Sequence, residues 1–233
     1  MRTESIRLEV PHVAGGPAAA SVSAPKRLPR RRDREATRAR ILEAAISEFS
    51  RFGLSEARGE RIARRARSSE RMVYYYFGSK EGLFRAALES VYADLREAER
   101  ALRLDEHSAP EALDRFCRFV WRYYYDHPEF ISLLNTENLY KARHLRRSAR
   151  LGELVSPVVG ILAALIARGE RDQVFRPGID AAQLYLSIAS QGYFYLSNRH
   201  TLSAVLGRDL ASHAALEAHW REGVELIRRY VAV

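Results

Sequence analysis

A single cysteine, Cys117, in 233 residues excludes an internal disulfide framework and leaves the fold to be held by its apolar core. Long apolar runs are missing as well: the best candidate, 155–167, is broken by Ser156 and Pro157 and falls short of the ~18–20 residues that cross a bilayer. The N-terminal residues lack the apolar stretch of a signal peptide. These absences set the expected location as the cytoplasm, with no membrane partner. Period-two alternation and Asn-Gly or Asp-Gly turns are absent, which argues against paired strands. So are glycine-rich nucleotide loops, HExxH pairs, Cys/His clusters and nucleophile signatures. His127 with Glu129, and His144, stand apart from any partner at metal-ligand spacing. Neither a cofactor, a metal nor an enzymatic activity is expected.

What is present is apolar content and localised charge. Apolar residues make up 47% of the chain, enough for one large domain or two modest ones. Net charge is +9, and residues 26–85 hold 17 Lys or Arg against 8 Asp or Glu, so 17 − 8 = +9 and the remainder is neutral. A local excess of this size points to a polyanion, since neutralising phosphates releases condensed counterions; a solvated basic face is the alternative.

Residues 1–33 are expected to be a disordered basic tail, poor in apolar side chains and punctuated by Pro11, Pro17, Pro25 and Pro29. Its end, Lys26, Arg27 and Arg30 to Arg32, suits either a basic arm along DNA or a solubilising run. From Arg34 the spacing is helical throughout and predicts an all-α protein. Ile41, Leu42, Ala45, Ile46 and Phe49 stripe a helix over about 34–52 that Gly53 would stop. Ser69 is placed to cap 70–76 and Ser79 a helix to about 102, striped by Leu83, Phe84, Leu88, Val91 and Leu95. Further on, a Ser108-x-x-Glu111 capping box starts the next helix, Asp180 caps 181–197, and Asp209 caps a last helix to about 231.

Residues 59–80 read as helix, sharp turn, helix, a pair that sets its second helix in a major groove. Around it stand Ala44-Ala45 with Phe49 and Gly53, then Ile62-Ala63, then Tyr74-x-Tyr76-Phe77-x-x-Lys80. In these residues the chain resembles the TetR/AcrR repressors, a match that covers about 34–91. The resemblance implies a three-helix DNA-binding domain, 34–80, followed by a helical effector-binding and dimerisation domain, 81–233. It also implies that Tyr74 and Lys80 touch phosphates, with Thr37 and Arg38 as further backbone contacts. Ser69, Glu70, Arg71 and Tyr75 fall where base edges are reached. Arg71 is the residue able to pair bidentately with guanine, or else another phosphate contact. Arg61, Arg64 and Arg65 supply general field. Arg67 and Ser68 depart from the family, which has Gly and an apolar residue in the turn, so either the turn is strained or its geometry differs.

For the effector, Phe116, Trp121, Tyr124, Asn138, His144, Gln191 and Tyr195 combine aromatic walls with orienting polar groups, or are ordinary core. Arg143, His144, Arg146 and Arg147 suit an aromatic or heterocyclic acid, or are solvated surface. The family's two-fold contact uses the last two long helices, where Leu184, Ile188, Gly192, Leu216, Trp220 and Ile227 supply close approach and apolar area for a homodimer. The expected function is a repressor released from a pseudo-palindromic operator by a small molecule. An effector-independent architectural DNA binder and a helical enzyme are the competing readings.

Overall fold

A computed structural model describes residues 31–233, apart from the side chains of Arg31 and residues 151–156. The proposed tail and basic arm, through Arg30, lie outside the described residues. Among the described residues are nine α-helices and two single 3-10 turns: α1 Arg31–Glu56, α2 Gly59–Arg65, α3 Glu70–Phe77, α4 Lys80–Arg100, α5 Ala109–Asp126, α6 Pro128–Leu139, α7 Leu151–Arg171, α8 Ala181–Leu206 and α9 His213–Val231. The turns lie at Leu104–Glu106 and Leu145–Arg147. No helix among them is long and apolar enough to cross a membrane.

Helices α1 to α3 enclose a small core of Ile41, Ala45, Phe49, Ile62, Ala63 and Val73, closed on one side by Leu83 and Phe84 of α4. Phe49 and Phe84 meet edge to face at 5.1 Å. Helix α4 then continues into the second domain, so the expected boundary at 80 falls in the first turn of one unbroken helix. There Leu88, Val91 and Leu95 face α5, α6 and α7, with α8 and α9 behind.

Several local signals differ from expectation. Helix α1 starts at Arg31, and Gly53, with a non-helical φ of 67° and ψ of −179°, interrupts it where the stop was expected; a second short helical piece follows across that kink to Glu56. Ser69, Ser79 and Asp180 cap as expected, accepting from Met72, Gly82 and Gln183 backbone N–H. Ser108 caps nothing with its side chain, because Pro110 in the first turn leaves fewer free donors to satisfy. Helix α9 begins at His213 under Ser212; Asp209 instead closes its own turn onto Ala211 N–H at 3.0 Å. Arg67 is left-handed, φ 50°, so the turn does carry the strain expected without glycine, about 1 kcal/mol.

Candidate nucleic-acid interface

Ser69 fixes the start of α3, and Val73, fully buried, fixes its rotation. The opposite face presents Glu70, Arg71 and Tyr75 to solvent, and Tyr75 is 70% exposed despite its size. Arg71 and Tyr75, one turn apart, line a cleft of about 400 Å³ with Ser69 and with Arg34 at the start of α1. An exposed aromatic beside two guanidinium groups is the composition of a base-edge and phosphate surface.

The other expected contacts are partly committed within the protein. Tyr74 turns its hydroxyl to the Glu70 carboxylate, and burial first, then that carboxylate, push the phenol above its ordinary value. A phosphate contact from Tyr74 therefore requires Glu70 to give up its donor. Lys80 Nζ donates to the Ser55 carbonyl at 2.8 Å. Thr37 donates to Asp33 O at 2.8 Å and accepts from Arg40 at 3.1 Å. Arg38 stands exposed with its guanidinium 5.0 Å from the Phe77 ring centre. Arg61 is tied within the domain: it pairs with Glu48 at 2.5 Å, donates to Glu56 O and covers Phe52. Arg64 and Arg65 remain exposed.

The expected effector residues are not brought together. Trp121 is a core wedge, 1% exposed, donating to Ile188 O at 2.8 Å with its ring between Gly192 and Gly223. Phe116 is buried in the core, and Tyr124 stacks on Phe130. Tyr195 stacks on His219 and donates to Leu210 O, while the Gln191 carbonyl faces the ring of His219 at 3.0 Å. Asn138 lies exposed at the end of α6, and His144 is buried against Glu137. Helical spacing marks the aromatic positions among them as inward-facing without separating a packed interior from a cavity wall.

A polar interior exists elsewhere. Arg96 and Glu99, each 3% exposed, form a buried ion pair, and Arg96 also reaches the Tyr185 hydroxyl at 3.4 Å. Burial pushes the Glu99 carboxyl up more than Arg96 draws it down; for Arg96, burial opposes the charge but Glu99 and Tyr185 hold it raised. Burial also lifts the phenols of Tyr92 and Tyr123 to about 12 and that of Tyr124 well above its usual value. All three stay neutral donors. Arg96 Nε, Glu99 Oε1 and Arg168 Nε are buried with no hydrogen-bond partner. Glu99 and Arg168 line a cavity of about 240 Å³ with Arg103, Leu104, Ile161 and Leu165. Helical periodicity did not single out this site, although Leu88, Tyr92, Arg96 and Glu99 share one face of α4, so two charges sit in an apolar stripe.

Five of the six expected dimer residues are corrected by burial inside one protomer. Leu184 and Ile188 are 0% exposed, Leu216 1% and Ile227 4%, and a Cβ on Gly192 would lie 2.4 Å from Trp121 Cδ1. Trp220 alone is half-buried. The outward faces carry other residues: Leu186 and Phe194 on α8, 55% and 60% exposed, and Leu226 on α9, 57% exposed. No charged residue occurs in 181–198.

Comparison with known proteins matches both halves of the chain. The family described as bacterial regulatory proteins, tetR family, matches residues 41–87, and the tetracyclin repressor-like C-terminal domain matches 110–227. The chain is 47% identical to the HTH-type transcriptional repressor NicS of Pseudomonas putida over 184 residues, 79% of this chain and 86% of that protein. It is 29% identical to the HTH-type transcriptional regulator RutR of Escherichia coli over 195 residues, 82% and 86% of the two chains. A solved transcriptional regulator from Streptomyces coelicolor superposes with a TM-score of 0.63 at 26% identity, covering 84% of this chain and 98% of its own.

Proposed function

This chain belongs to the TetR family of transcriptional regulators, and from that premise we propose that it is a homodimeric repressor whose two α3 helices read a pseudo-palindromic operator. Family members bind operator DNA and form dimers, and they are regulators, not enzymes. The observation that carries the reading is the solvent-facing Arg71 and Tyr75 on a helix rotated into place by Val73. Ser69 and Glu70 flank that face, and Thr37, Arg38, Tyr74 and Lys80 bracket it as phosphate contacts. The two-fold contact is assigned to Leu186 and Phe194 on the uncharged 181–198 stretch of α8, together with Leu226 on α9: large exposed apolar side chains are costly in water and gain by self-association.

The effector site is assigned to the cavity at Glu99 and Arg168. The unpartnered Glu99 Oε1 and Arg168 Nε–H of the lining residues suit a small aromatic or heterocyclic acid that also carries a donor, and about 240 Å³ limits it to a compact one. Glu99 lies near one end of α4 and Lys80 at the other. Twenty-one residues of helix span about 30 Å, so α4 is the rigid link from cavity to DNA.

One experiment with two arms tests this on the duplex that the intact protein selects. Arg71→Ala is expected to lose about 1–3 kcal/mol of discrimination at one base pair, whereas Lys80→Ala weakens all DNA alike and lowers the salt slope by about 1. Equal losses for Arg71→Ala on selected and random DNA would make Arg71 a phosphate contact. In the second arm, benzoates and heterocyclic carboxylates are titrated with and without DNA. An acid that acts as effector must bind more weakly to the DNA complex by the same factor by which it weakens DNA binding. Equal affinity in both titrations would remove the coupling.

A further inference from the structure

Residues 141–150 of the second domain carry Lys141, Arg143, Arg146, Arg147 and Arg150 and no acidic residue. Lys141, Arg143, Arg146 and Arg147 are exposed, and none of the four has an ion pair or a side-chain hydrogen bond among the described residues. A basic run of this kind is ordinarily a loose, solvated stretch. Here the backbone is clamped. Glu137, 1% exposed, accepts from the N–H groups of His144 and Leu145 at 2.8 Å each and meets His144 Nδ1 at 2.7 Å. Ser148 donates to Glu89 of α4 at 2.6 Å and accepts from Arg150 N–H at 3.1 Å. The His144 ring stands edge-on to Phe84 of α4 at 5.0 Å. Lys141 and Ala142 are held left-handed, φ 55° and 58°, a conformation that side chains other than glycine's disfavour.

The clamp fixes this segment to the N-terminal half of α4, beside the DNA-reading helices. Arg147 lines two adjoining clefts, of about 430 and 390 Å³, that it shares with Arg85. One reaches Gly78 and Ser79 at the α3–α4 turn, the other Arg38 on α1. The acidic groups facing these clefts are Glu81 and Glu89, and Glu89 already holds Ser148. Cations spread along ten residues suit a linear polyanion; a single small anion would need them to converge.

The geometry points to a second, sequence-independent DNA contact: Arg147, with Arg143 and Arg146, extends the phosphate surface of α1 and α4 onto the second domain. This rests on the DNA-binding reading above. It differs from that reading in placing backbone contacts outside the helix-turn-helix, and it removes these arginines from the effector site.

The test is the salt dependence of binding to a long mixed-sequence duplex. It compares the intact chain, the triple variant Arg143→Gln, Arg146→Gln, Arg147→Gln, and a control removing equal charge elsewhere, Arg118→Gln, Arg171→Gln, Arg208→Gln. The first variant is expected to lower the slope by about 0.9 for each phosphate no longer neutralised, so by about 2–3, while the control leaves it unchanged. The three side chains are exposed and unpaired, so the melting temperature should hold; if the triple variant does not fold, Arg147→Gln alone should lower the slope by about 0.9. A slope equal to that of the control overturns the second contact and leaves the helix-turn-helix reading standing. Absence of salt-dependent binding by the intact chain overturns both.

Discussion

Phe194→Glu combined with Leu226→Glu is expected to give a folded chain that elutes at the mass of one protomer and binds the operator about 10²–10⁴-fold more weakly. Phe194 and Leu226 are 60% and 57% exposed in one protomer, so glutamate at either position opens no cavity and buries no charge there. In a two-fold contact each change appears twice, setting like charges opposite one another in a desolvated seam. The loss on DNA follows from linkage: once one half-site is bound, the second recognition helix acts at a high effective concentration that a monomer forfeits. Light scattering reads the mass, and a thermal melt verifies that the fold survives. A variant that stays dimeric would place the interface elsewhere. Substituting Gly192 or Ile188 is not an equivalent test, since a side chain on Gly192 collides with Trp121 and Ile188 is wholly buried.

Trp121→Ala is expected to destabilise the protein by about 3–5 kcal/mol, the upper range for truncating one core side chain. The indole is 1% exposed, its N–H is satisfied by Ile188 O, and its two edges fill the space left by Gly192 on α8 and Gly223 on α9. Removing it leaves a void where three helices meet. Domains are stable by only about 5–15 kcal/mol, so the variant should unfold well below the intact protein in a chemical denaturation series. Trp121→Phe, which keeps most of the volume and loses the hydrogen bond, should recover much of the stability. A Trp121→Ala protein as stable as the intact chain would make this residue a cavity wall instead of a core wedge.

Sequence made the DNA-binding half legible because its signals are local. Ser69 caps α3 three residues from its donor partner, Ser79 does the same for α4, and the absent turn glycine surfaces as the strained φ of Arg67. The helical effector half is different. Periodicity marks Leu184, Ile188 and Gly192 as apolar but does not say whether that side of α8 meets α5 of the same chain or a second copy. Leu186 and Phe194, on the other side of α8, look no more apolar than their neighbours. The cavity is harder still, since Glu99, Leu104 and Arg168 come from α4, a 3-10 turn and α7, and only the fold unites them. The left-handed pair Lys141 and Ala142 has no sequence signature, since neither is a residue that favours φ > 0.

Selection of bound sequences from a random double-stranded library by the intact protein addresses the central claim most directly. The account predicts one enriched sequence with two-fold symmetry, its half-sites about 34–36 Å apart or a multiple of that, bound as a dimer. Enrichment of no sequence, or of a single site without two-fold symmetry, would contradict it.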